Sequence, residues 1–174
     1  MELPNAAYLY TLALIAVGYV GFTAIVLILR QSIGGPLSPL DTLVARLFMS
    51  WGFMITYLSM LPVLLASFKL GLTAVWQISS AFAGLSFVVL HVGYQVLRRR
   101  ITGDPTPLHL WIHTASGLAL GIVLLANTAL IVPAAVGAIY MAAVTLDMIQ
   151  ASFAFVQHFG FMIDQLRKQR KDLG

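Results

Sequence analysis

Charge is absent from residues 3–29, 47–68, 70–97, 105–146 and 148–163, and every Lys, Arg, Asp and Glu of the 174-residue chain falls between or beyond those runs. A hydrocarbon core ~30 Å thick is crossed by about 20 apolar residues in a helix. Backbone polar groups inside it must be satisfied within the segment, so runs of this kind fold as membrane-spanning helices. The fourth run is about twice the length one crossing needs, and it carries Asn127 and Pro133 near its middle, where it is expected to fold back. The fifth is short only because Asp147 interrupts it. The expected fold is all-α, a polytopic bundle forming a single membrane domain over residues 1–174. Its five spans are expected at 7–29, 39–66, 72–97, 107–130 and 134–163.

Composition narrows the alternatives. Apolar residues make up 60% of the chain and charged ones 9%, against roughly a quarter charged in soluble domains. The net charge of +4 is no argument for a nucleic-acid partner, because the basic residues sit where membrane topology places them. There is no cysteine, which removes disulfides, thiolate catalysis and Cys-ligated clusters. The leader MELPN carries an acid and lacks a basic n-region, so the first run is expected to be a retained span.

The basic residues set an orientation. Arg30 and Arg46 flank the first loop, Arg98, Arg99 and Arg100 open the third, and Arg167, Lys168, Arg170 and Lys171 follow the last span; only Lys69 falls on the opposite side. The positive-inside rule then puts the N-terminus outside and the C-terminus in the cytoplasm, with a bacterial inner membrane as the expected location. Helix starts are legible too. Ser38-Pro39-Leu40-Asp41 offers a capping hydroxyl, a proline at the first helical position and an acid at the third. Thr106-Pro107 is expected to act in the same way for the fourth span. Pro62, inside the second span, frees the carbonyl of Leu58.

Helical arithmetic gathers the polar residues into stripes. Tyr140, Ala143, Asp147, Gln150, Ala154 and His158 share an arc of about 80°, and His109, His113, Ser116 and Asn127 one of about 60°. Gln77, Ser80, Gly84, His91 and Gln95 mark the third span, and Arg46, Ser50 and Tyr57 the second. Lipid solvates such stripes poorly, so they are expected to face one another, with the almost wholly apolar first span outside. Gly18, Gly21, Gly117, Gly121 and the Ala134/Ala138/Ala142 series are the small residues expected to let helices approach. Counted from the predicted helix ends, Arg46, His91, His113 and His158 form one layer roughly 8–10 Å below the cytoplasmic surface, with Asp147 about 15 Å deeper than His158.

Three functions draw on these residues. The leading one is a small channel or proton- and ion-conducting protein, working as a cyclic homo-oligomer in the lipid bilayer. Asp147, Gln150, His158, His113, His91, Arg46 and Asn127 would be its pathway or relay, since an intramembrane acid marks a route by default and histidine titrates near working pH. Asn127 and Gln77 would border an external vestibule. In the second, His91, His113 and His158 hold haem b and Arg46 pairs with a propionate. This resembles the general arrangement of small b-type membrane cytochromes. A zinc or copper site on His109, His113 and His158 is a variant of it. In the third, the polar groups only bond helices together in a non-catalytic structural membrane protein, with Asp41 or Asp164 neutralising Arg46. Trp51 is assigned to helix packing. The leading reading uses no cofactor or metal, and no stretch carries a catalytic signature.

Overall fold

The computed structural model describes residues 3, 5–34, 36–129 and 135–172, with side chains up to residue 160 apart from 33 and 34. Five helices follow in chain order: α1 (Ala6–Gly34), α2 (Pro39–Ser67), α3 (Leu72–Thr102), α4 (Leu108–Asn127) and α5 (Val136–Asp172). Each is long and apolar enough to cross a membrane, which for α1 applies to Ala6–Ser32 and for α5 to Val136–Gly160. The protein is thus an all-helical, five-span integral membrane protein. Pro133, Ala134 and Leu130 lie outside the described residues, as do the side chains of Asp164 and the basic tail.

The helix limits follow from local chemistry. Ser38 and Asp41 form a full capping box, the Ser38 hydroxyl accepting from Asp41 N at 3.1 Å and the Asp41 carboxylate from Ser38 N at 3.3 Å, with Pro39 at the first turn. Thr106 departs from expectation: Pro107 precedes the first helical residue, and the Thr106 hydroxyl donates to Gln95 Oε1 at 2.9 Å instead of capping α4. Helix α3 runs five residues past its predicted end at 97. The arginine triplet is helical, and the helix stops only where Gly103 takes φ 68°.

Helix α5 packs against each of the other four, and α1 rests at the edge on α2 and α5. Between α3 and α4 backbone lies against backbone. A Cβ on Gly84 would lie 2.8 Å from Gly121 O, one on Gly121 3.1 Å from Gly84 O, and one on Gly117 would collide with the His91 ring. Gly117 and Gly121 thus behave as expected of small residues, whereas Gly18 and Gly21 meet nothing and Ala138 and Ala142 are exposed. Between α1 and α2 the close approach belongs to Gly52, whose missing side chain admits Val20 and Tyr19.

Candidate functional site

Toward the end of the bundle away from the arginines, polar side chains bond helix to helix. Asn127 Nδ2 donates to Ser80 Oγ at 2.9 Å and to Val136 O at 3.0 Å, joining α4 to α3 and α5. Gln77 Nε2 donates to Thr128 O at 2.9 Å. The Tyr140 hydroxyl donates to Leu58 O at 2.6 Å, the carbonyl that Pro62 deprives of its helical donor. Around them Ile55, Leu58, Val75, Leu124 and Val144 are buried. Asn127 and Gln77 therefore tie helices together.

Asp147 sits at the centre, fully buried on α5. Its Oδ2 accepts from Trp51 Nε1 at 2.6 Å, and its Oδ1 faces His91 Nε2 at 4.0 Å. His91 Nδ1 lies 2.8 Å from Phe87 O. A carbonyl only accepts, so Nδ1 carries a hydrogen, and in the neutral ring Nε2 is left as an acceptor. Both Asp147 Oδ1 and His91 Nε2 are buried without a hydrogen-bond partner. The two groups face each other with room for one proton to be held by either, and the pair is neutral overall in both arrangements. Gly117 makes the space for the imidazole, and the Trp51 ring meets it edge-on at 5.3 Å.

From this pair a cavity of about 150 Å³ runs toward the arginine end, among α2, α3, α4 and α5. Trp51 and His91 form its inner end. Tyr94, His113, Gln157, His158, Arg98 and His109 continue it, with Leu40, Val44, Leu47, Phe48, Leu90 and Leu110 as apolar wall. Half-buried Leu40 and exposed His109 stand at the outer rim. Arg98 is 7% exposed, and its Nη1 is buried with no hydrogen-bond partner. All four histidines thus border one space, but not as a single layer. His91 is two helical turns deeper than Arg98, about 10 Å along α3, and belongs with Asp147.

Several predicted site residues lie elsewhere or do different work. Arg46, Ser50 and Tyr57 are exposed on the outside of α2, Arg46 and Ser50 lining a shallow groove against α3 with Gly93 and Leu97. Arg46 is therefore no part of the histidine group, and Arg98 occupies the position expected of it. Asp41 faces His158 at 4.0 Å rather than Arg46. Gln150 Nε2 donates to His113 O and acts as a strap between α5 and α4. The inward face of α4 is Thr114, Gly117, Gly121, Leu124 and Asn127, with Ser116 and His109 turned out. The ring nitrogens point to different partners: His91 Nε2 to Asp147, His113 Nε2 to Gln157 at 3.4 Å, His158 Nε2 to Asp41. The cavity is below the ~300 Å³ from which pockets for larger organic ligands start. Among the described residues no three His, Cys, Asp or Glu side chains are grouped to hold a metal ion, so the His109/His113/His158 site does not assemble.

Two site residues escaped the sequence reading. Trp51 had a signal, since an indole N–H deep in a span needs an acceptor and Asp147 is the acid at matching distance from its helix end. Arg98 had one as well, because it follows His91 by seven residues and shares its face.

Fold and site together define a five-helix membrane protein with a buried His–Asp pair and a cavity that runs from His91 toward the arginine end. Among known proteins, no family profile, curated protein or solved structure matches the chain.

Proposed function

We propose that this protein moves protons across a bacterial inner membrane, with the His91–Asp147 pair as its mid-membrane proton site and the histidine-bordered cavity as the route from the cytoplasm. One observation carries the reading: two ionisable groups, each buried and each lacking a hydrogen-bond partner on the facing atom, meet where a cavity reaches His91. Intramembrane ionisable residues are costly and tend to mark such pathways. His113 and His158 lie along that cavity at a depth suited to passing protons inward. The packed and strapped outer half supports a gated device over a permanently open channel, since release outside requires the Tyr140 and Asn127 contacts to part. The orientation adopted is N-terminus outside and C-terminus inside. A cyclic homo-oligomer belongs to the same reading, because exposed Arg46, Ser50 and Tyr57 are poorly served by lipid and better served by a second copy.

Proton flux in liposomes tests it. Under an imposed pH gradient and potential, wild type is expected to dissipate the gradient faster than empty vesicles, and Asp147→Asn and His91→Phe to reduce that rate by about tenfold or more, the factor that 1.4 kcal/mol represents. Wild-type flux no greater than that of empty vesicles overturns the proposal. The absence of native cysteine lets single cysteines at Gly71 and Gly103 report orientation by impermeant labelling.

A further inference from the structure

The proton reading leaves Arg98 unused. A guanidinium removed from water is costly unless an anion or a full set of acceptors compensates it. Arg98 is 7% exposed, its Nη1 has no hydrogen-bond partner, and among the described residues no carboxylate lies within ion-pair distance of it. Asp41 is engaged by Ser38 and His158, and Asp147 by Trp51 and His91. Arg98 lines the same cavity as the histidines, whose remaining wall is largely aliphatic and aromatic.

We propose that this cavity binds a small monocarboxylate with a compact apolar body, its carboxylate held by Arg98 and its body lodged among Phe48, Leu90 and Leu110. The volume, about 150 Å³, is that of a cavity known to take a benzene-sized guest. A guanidinium is the side chain whose donor geometry matches a carboxylate. One arginine against an apolar wall favours a singly charged organic acid over phosphate or sulfate, which require several donors. The His91–Asp147 pair lies at the far end of the same space, so a proton and an organic anion would share one route. That coupling rests on the proton reading, whereas the binding itself does not.

Equilibrium dialysis of radiolabelled benzoate against the full-length protein in nanodiscs, with no gradient, tests the site. Saturable one-to-one binding per chain is expected, weakened about tenfold or more in Arg98→Gln, as for loss of a hydrogen bond to a charged group, and unchanged in Arg46→Gln. Leu90→Trp, which fills the cavity while keeping Arg98, is expected to abolish binding and serves if Arg98→Gln does not fold. Absence of saturable binding overturns the proposal, as does equal binding in Leu90→Trp, equal affinity in Arg98→Gln, or displacement of benzoate by benzamide or inorganic phosphate as effectively as by unlabelled benzoate. Asp147→Asn separates the two ideas. Benzoate binding retained with no wild-type proton flux leaves the site standing and removes the proton reading; flux without benzoate binding does the reverse.

Discussion

The two halves of the bundle treat buried polarity in opposite ways. In the outer half Asn127, Gln77 and Tyr140 each have a partner on or at the end of another helix, and the orphaned groups there, among the described residues, are two neutral hydroxyls, Ser59 and Ser79. In the half that carries the arginines, the orphaned atoms among the described residues belong to His91, Asp147, Arg98 and Arg30, all able to hold charge, and a cavity joins His91 to Arg98. Satisfied bonds stabilise and specify a packing. Unsatisfied ionisable groups are retained at a cost to stability, and the natural reason is work done by the site. On the two proposals, the outer half acts as a seal and the inner half as a receptacle.

Substitutions can break that contrast. The largest effect is expected from Gly117→Leu, since even a Cβ there collides with the His91 ring. Overpacking of about 1–3 kcal/mol should lower the unfolding midpoint in detergent, and the displaced imidazole should remove proton flux as well. A variant that melts and conducts like wild type would show that His91 has space to spare. Next comes Tyr140→Phe, which leaves Leu58 O without a donor inside the seal. A loss of about 1–2 kcal/mol in unfolding free energy is expected, with benzoate binding intact; loss of binding at unchanged stability would mean that the seal and the receptacle are one unit. The smallest effect is expected from Arg46→Gln, on the outer surface of α2. Stability should stay within about 0.5 kcal/mol of wild type and proton flux in liposomes should not change. A tenfold loss of flux would return Arg46 to the pathway.

Much of the fold was legible because the bilayer leaves so few choices. Uncharged runs located all five helices, and the Ser38–Asp41 cap and Gly103 stop follow from local chemistry. Asp147 and the inward face of α5 were equally readable from spacing. Depth was the weak point. Ending α3 at 97 in place of 102 left Arg98 in a loop, and placed His91 in the same layer as His113 and His158 when it pairs with Asp147. Rotation was the other. A polar residue on a span need not face protein: Arg46, Ser50 and Tyr57 line up well on α2, yet Trp51, Ile55 and Leu58 take the inward face. Hydrophobic pattern alone does not distinguish the two faces of a helix that has apolar residues all round.

The glycine seam between α3 and α4 has a mechanical meaning. With backbone set against backbone at Gly84 and Gly121, and Gln95 bridging to Thr114, the two helices are a single stiff plate. On the proton reading, the contacts that would part to admit water from outside include the hydrogen bond of Asn127, which joins this plate to α5, and that of Tyr140, which joins α5 to α2. An outward opening would therefore leave the plate still and swing α2 and α5 away from it, carrying Trp51 and Asp147 together and drawing Asp147 off His91.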